Sequence, residues 1–235
     1  MTEARGSDNQ AGLPTGISAQ RMNRMTKDAI TVQLRAAHCE DAAALAPLVY
    51  VSGAEMFEYL FTTRRCAAQD FLRAALHDGS GLLGWPYHCV ALHEARIVAS
   101  MALYDTADLT RLAQQTLWQY LRLSHPFYAA RVLLRVLRLG AVQPYPPPGG
   151  LYIAHLSVDA DLRGRGIGRQ LLEHALQIAR ARWHAYCMLD VAQDNVAARA
   201  LYAACGFVAI GPPLVSPRDV GVPHSLRMRC DLRSA

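Results

Sequence analysis

From Ile30 onward the chain shows its first sustained pattern: Ile30, Val32 and Leu34 alternate with Thr31, Gln33 and Arg35, which predicts a half-buried strand. Residues 1 to about 28 are polar and without a period, and read as a flexible leader. Cys39 to Val51 predicts a helix, with Asp41 in its first turn opposing the positive end of the dipole and Pro47 kinking or dividing it. Two further helices are predicted over Ala54 to Phe61 and Ala67 to His77, the second ended by Asp78-Gly79-Ser80-Gly81. Tyr87 to Leu92 and Ile97 to Tyr104 read as strands joined into a hairpin by His93-Glu94-Ala95-Arg96.

Residues 105–142 turn helical, with Leu109, Leu112, Leu117, Leu121, Val132, Leu133, Val136 and Leu137 at roughly helical spacing. Arg131, Arg135 and Arg138 form a stripe there that reads as the solvated face of an amphipathic helix, in preference to an anion or membrane-surface contact. The stiff run Pro144-Tyr145-Pro146-Pro147-Pro148-Gly149-Gly150 then returns the chain to the core. The expectation is a single domain over 29–235 with a helical insertion at about 105–150.

Composition narrows the class. The chain has 235 residues, 52% of them apolar and 18% charged, enough to bury a substantial core. No run approaches the roughly 18 apolar residues that span a bilayer, so no membrane partner is expected. Six scattered cysteines without metal-like spacing predict free thiols, a cytoplasmic location and no metal. Cys187 and Cys205 sit among apolar neighbours and read as buried thiols instead of nucleophiles. Of the 24 basic residues only Lys27 is lysine, so the net charge of +5 is almost entirely guanidinium, suited to phosphate or carboxylate. No dense basic run carries interleaved aromatics, and nucleic acid is not the expected partner.

The chemistry concentrates after residue 150. Leu151 to Val158 reads as a strand, Asp159 to Leu162 as a link, and Arg163-Gly164-Arg165-Gly166-Ile167-Gly168 as a glycine-rich turn into a helix whose apolar face is Leu171, Leu172, Ala175, Leu176 and Ala179. That order builds an anion site, because unpaired N–H groups converge at the helix start and glycine permits close approach. Arg163, Arg165 and Arg169 add charge, and a phosphate or pyrophosphate is the expected guest. The spacing matches neither the nucleoside-triphosphate loop nor a dinucleotide fingerprint.

About 30 residues later Tyr186 to Val191 reads as another strand, followed by a helix from Asn195 to Cys205 stopped by Gly206. On it Ala197, Leu201 and Ala204 are expected to form a buried stripe, and Asn195, Ala198 and Tyr202 an adjacent face on which an extended amide-bearing chain could lie. Leu226, Met228 and Cys230 alternate with Arg227 and Arg229 in a last strand.

Arg163-Gly164-Arg165-Gly166-Ile167-Gly168 and the later Asn195-x-x-Ala198-x-x-Leu201-Tyr202-x-x-x-Gly206-Phe207 together resemble the pyrophosphate loop and helix signature of the GNAT family of acyl-CoA-dependent N-acyltransferases. The order of predicted elements over 30–230 is similar to that family, with the 105–150 region outside its common pattern. The resemblance implies an α/β fold: a mixed, mainly antiparallel sheet flanked by helices and splayed at the acyl-CoA site. It implies acetyl transfer from acetyl-CoA, a co-substrate, to a small-molecule or peptide amine by direct attack; a non-catalytic acyl-CoA-binding module is the alternative. Backbone N–H groups around Arg165 to Arg169 would hold the pyrophosphate, the main chain of Leu156, Ser157 and Val158 would pair with the pantetheine, and Asn195 would hydrogen-bond that arm. A strand amide near Leu156 or Val158 would stabilise the oxyanion, and Tyr202 would protonate the departing sulfur. For the base, the strand offers Tyr152 and His155, and only His155 titrates near neutrality; the two fall on opposite faces unless a bulge intervenes. Glu55, Glu58 and Tyr59 would line the acceptor cleft, bordered by the loop from Pro212 to His224. Acceptor identity and oligomeric state, including a homodimer, are left open.

Overall fold

The alternating segments become seven strands of one sheet: β1 (Gln33–Ala36), β2 (His88–His93), β3 (Arg96–Asp105), β4 (Gly150–Val158), β5 (Tyr186–Ala192), β6 (Val208–Ala209) and β7 (Ser225–Asp231), ordered β1-β2-β3-β4-β5-β7-β6. The computed structural model describes residues 30–64, 66–123, 126–140, 144–216 and 221–232, so the 1–28 leader lies outside the described residues. Neighbouring strands are antiparallel except β4 and β5, which run parallel. The helices are α1 (Ala42–Val51), α2 (Ala54–Phe61), α3 (Ala68–Asp78), α4 (Leu109–Leu123), α5 (Pro126–Gly140), α6 (Ile167–Ala181) and α7 (Val196–Ala204).

Strand alternation divides the core. Cys89, Ala91, Val98, Leu151, Ile153, Cys187 and Leu189 face α6, which answers with Leu171, Leu172, Ala175 and Ala179. Val90 on the other face joins Leu45, Val49, Leu72 and Leu76 of α1 and α3, while Ala102 and Tyr104 pack on Leu109 and Leu112 of α4. Each fully buried leucine contributes about 1.5–3 kcal/mol relative to exposure, so both helical layers are held by their apolar faces.

Several sequence expectations are amended. β1 is shorter than its alternation suggested, because Ile30 to Val32 bond to α6 and its approach loop in place of β2: Ile30 donates to the Arg165 carbonyl (3.2 Å), and Gln170 bridges the Ile30 carbonyl (2.6 Å) and the Val32 amide (3.3 Å). The segment expected as a helix from Cys39 starts as a 3-10 turn over Cys39–Asp41, and α1 then runs unbroken through Pro47. Asp41 caps that start by accepting from the His38 amide (2.8 Å), and it pairs with Arg35. The hairpin turn places Glu94 and Ala95 both at positive φ, the geometry of the tight turns that match strand twist.

Where a helical insertion is expected, the chain forms two helices, α4 and α5. Gln119 of α4 donates to the Ala75 carbonyl (2.8 Å) and Asp78 (3.0 Å), tying it to the end of α3. The arginine stripe of α5 is not uniformly solvated: Arg135 donates to the Leu60 and Thr62 carbonyls and lies over the Tyr59 ring at 5.5 Å. Among the described residues no helix is long and apolar enough to cross a membrane.

Candidate active site

The site begins where two strands part. The parallel pairing of β4 and β5 covers only Gly150 with Tyr186, Leu151 with Cys187 and Tyr152 with Met188. Beyond it β4 continues with β3 as far as Val158, and β5 with β7 as far as Ala192. The sheet therefore splays, and the β5-facing side of β4 from Ile153 to Val158 pairs with no strand.

At the wide end of this opening lies the glycine-rich turn. Gly164 has a φ of 77° and Gly166, the N-cap of α6, a φ of 82°, a region that L side chains rarely enter. A Cβ on Gly164 would meet nothing within 4 Å, so the turn faces open space there. Gly168 serves packing instead: a Cβ there would come within 3.1 Å of Leu201 on α7. Among the described residues no side chain caps the first turn of α6, so its N–H groups are available to an anion. Arg163 is anchored by Nε to the Val158 carbonyl (3.0 Å), and Arg169 pairs with Glu173 (3.1 Å). Arg165 is exposed and enters no ion pair among the described residues. The chemistry of this donor set fits a pyrophosphate.

α7 flanks the opening on the α6 side. Asn195 caps it, Oδ1 accepting from the Ala198 amide (3.0 Å), which commits the carbonyl oxygen and leaves the amide NH2 for a guest. The stripe expected at Ala197, Leu201 and Ala204 is corrected. Ala197 and Ala204 are exposed, and the helix packs through Ala198, Leu201, Tyr202 and Cys205, because the large Tyr202 ring turns the inward face by one residue. That ring lies 6.3 Å from Phe207, and burial pushes its phenol up to about 12. It remains protonated at any physiological pH.

His155 occupies a bulge. The β3–β4 register slips between Ser100 and Ala102, leaving His155 and Leu156 opposite Met101, and His155 takes a φ of 52°. The bulge cancels the predicted opposition of Tyr152 and His155. The His155 ring meets Phe57 of α2 (5.6 Å between centroids) and His88 of β2 (5.9 Å), on the side of the sheet that Ala154 and Tyr152 also face. Contrary to expectation, His155 does not titrate near neutrality: burial pushes it down to about 4, and burial together with His155 pushes His88 down to about 3.

Three polar features escaped the sequence reading. His88 is 2% exposed with neither ring nitrogen bonded, and Ser52 touches His155. Asp190 sits where β5 leaves β4, accepting from Tyr152 (3.0 Å) and from Arg227 of β7 (2.8 and 2.9 Å). An acid directly after the apolar run Cys187-Met188-Leu189 and before Val191 was the available signal for this network. Of the residues expected at the acceptor cleft, Glu58 accepts from Tyr50 (2.8 Å) and from Thr62, Glu55 is exposed, and Tyr59 buries its unbonded hydroxyl. In the loop from Pro212 to His224, residues 217–220 lie outside the described residues. The thiols are free, and burial pushes Cys187 up to about 12 and raises Cys205, which suits neither for nucleophilic attack. A surface concavity of about 540 Å³ between Cys39, Ala43, Asp70 and His77 is remote from this chemistry.

Comparison with known proteins bears on the family and the fold. Residues 56–207 match the acetyltransferase (GNAT) family model. The N-alpha-acetyltransferase RimI of Mycobacterium tuberculosis is 40% identical over 77 residues, 32% of this chain and 44% of its own length. The chain thus matches less than half of that relative. Among solved structures, an N-acetyltransferase from Staphylococcus aureus Mu50 superposes with a TM-score of 0.66 at 19% identity, covering 84% of this chain and 99% of that one. The yncA structure from Salmonella typhimurium, solved with its cofactor acetyl-CoA, gives 0.51 at 17% identity over 88% and 96% of the two chains. These two show a shared fold.

Proposed function

Because the chain belongs to the GNAT acetyltransferase family, we propose that it moves the acetyl group of acetyl-CoA to a primary amine by direct attack. The observation that carries this reading is the parting of β4 from β5 after Tyr152 and Met188, with the uncapped start of α6 at the wide end. An extended arm needs such unpaired backbone, and a pyrophosphate needs such a helix start.

The roles follow from position. N–H groups from Arg165 to Arg169 bind the pyrophosphate, with Gly164, Gly166 and Gly168 allowing its approach and Arg163 and Arg165 adding charge. The main chain of Leu156, Ser157 and Val158 pairs with the pantetheine, and the Asn195 amide NH2 donates to the same arm. Acetyl-CoA supplies the activated thioester carbonyl. His155, held neutral, takes the proton of the attacking amine, a strand amide near Leu156 or Val158 stabilises the oxyanion, and Tyr202 gives its proton to the sulfur. A thiol with a pKa of about 8.5 leaves readily, so the acid's share is modest. The acceptor is a small-molecule or peptide amine; the name of the mycobacterial relative makes an α-amino terminus the first to test. The six free cysteines support a cytoplasmic setting.

Calorimetric and thermal-shift titration with acetyl-CoA, CoA and ATP, on the wild type and on Gly166→Glu, tests the reading. Binding of acetyl-CoA and CoA that the substitution abolishes supports it. Failure of both to bind the folded wild type overturns it.

A further inference from the structure

The contact between Ser52 and His155 bears on which nitrogen of the imidazole carries hydrogen. Ser52 ends α1, and its Oγ lies 2.6 Å from the Val49 carbonyl oxygen. A carbonyl has no hydrogen to give, so the single hydroxyl hydrogen of Ser52 goes to Val49. What Ser52 then offers Nδ1 of His155, 3.4 Å away, is a lone pair. Two lone pairs facing each other repel, so the contact favours hydrogen on Nδ1. A neutral imidazole holds one ring hydrogen, and Nε2 is left bare.

Among the described residues no other hydrogen bond to the ring enforces this choice. The ring's other neighbours are Phe57 and His88, and His88 stacks 9° from parallel, with both nitrogens sealed and unbonded. Nε2 of His155 has no hydrogen bond among the described residues and, unlike the nitrogens of His88, is not among the sealed unbonded atoms. The backbone supports the same end. His155 occupies the left-handed region, sparsely populated for a residue with a Cβ, at the one bulge of β4, which brings its ring to Ser52.

We infer that Ser52 is a positioning residue for His155, fixing the ring as the Nδ1–H tautomer so that an approaching amine meets the Nε2 lone pair. The catalytic purpose rests on the proposed role of His155 as base, while the tautomer itself does not. With the opposite tautomer an N–H would point at the amine and no proton could be taken there.

Two-bond proton–nitrogen NMR of the full chain with 15N-labelled histidine reads the tautomer directly, His155→Gln identifying the signals. At pH 7 the expected pattern has a protonated Nδ1 and a bare Nε2. Ser52→Ala is expected to shift it toward Nε2–H, and Ser52→Thr, which keeps a hydroxyl, to restore it. A wild-type ring in the Nε2–H form overturns the inference, as does an unchanged pattern in Ser52→Ala with a wild-type circular dichroism spectrum. If Ser52→Ala does not fold, the wild-type pattern and its retention in Ser52→Thr decide. The spectrum needs neither acetyl-CoA nor acceptor, so its failure is distinct from failure of the titration above.

Discussion

The imidazoles of His88 and His155 lie 5.9 Å apart between centroids with their planes 9° from parallel, and burial holds both neutral. With His88 pushed down to about 3 and His155 to about 4, the unfolded chain, whose histidines titrate near 6.5, binds more protons than the folded one between these values. Their contribution is fully present above about pH 6.5 and is lost as pH falls toward 4. At pH 5 the loss is on the order of 2 kcal/mol per ring. Urea unfolding of the wild type at pH 7 and pH 5 should show it, and His88→Phe should remove about half of the difference. Equal pH sensitivity in the two proteins would count against the buried neutral pair.

Tyr202→Phe should lower kcat by about tenfold, less than the roughly hundredfold or more usual for a general acid, because thiolate is a good leaving group. Since burial pushes the phenol up to about 12, the wild-type pH profile should show no alkaline fall from this group below pH 10. Initial rates of thiol release between pH 6 and 10 check both statements.

Asn195 carries two roles that separate by substitution. Asn195→Ala removes the cap on Ala198 and should cost about 1 kcal/mol in thermal unfolding. Asn195→Asp keeps an oxygen for the cap and loses the NH2, so it should retain stability while weakening acetyl-CoA in a calorimetric titration. Wild-type affinity in Asn195→Asp would remove the amide from the binding site.

Arg227→Met strips the Asp190 carboxylate of its paired guanidinium in a half-buried setting and should destabilise the fold by about 3 kcal/mol. Because Asp190 also holds Tyr152 across the mouth of the opening, acetyl-CoA affinity should fall with stability. Denaturation and titration of the same variant test the pairing.

Local periodicity carried most of the architecture. Strand alternation around Leu34, Ala91 and Cys187, the helical repeat from Leu171 to Ala179 and the glycines at 164 and 166 are short-range signals, and the structure follows them. Errors arose where a distant partner decides the outcome. Ile30 looked like strand until Gln170, 140 residues away, claimed its carbonyl. Arg135 looked solvated until α2 supplied carbonyls for it. On α7 the alanines gave a weak period, and Tyr202 set the inward face. His88 and Ser52 were silent for the same reason: each gains its meaning from His155, which the chain delivers much later.

The parting of β4 and β5 has a further effect. The outermost strands are short, four residues in β1 and two in β6, while a longer row of unclaimed backbone groups lies inside the molecule, walled by helices. A sheet margin is ordinarily where one chain recruits another and aggregation starts. Here the adhesive margin is turned inward, within reach of something as thin as a pantetheine arm and shielded from a neighbouring protein. On the proposed reading, ligand capture comes from the same interruption in the sheet that turns this margin inward.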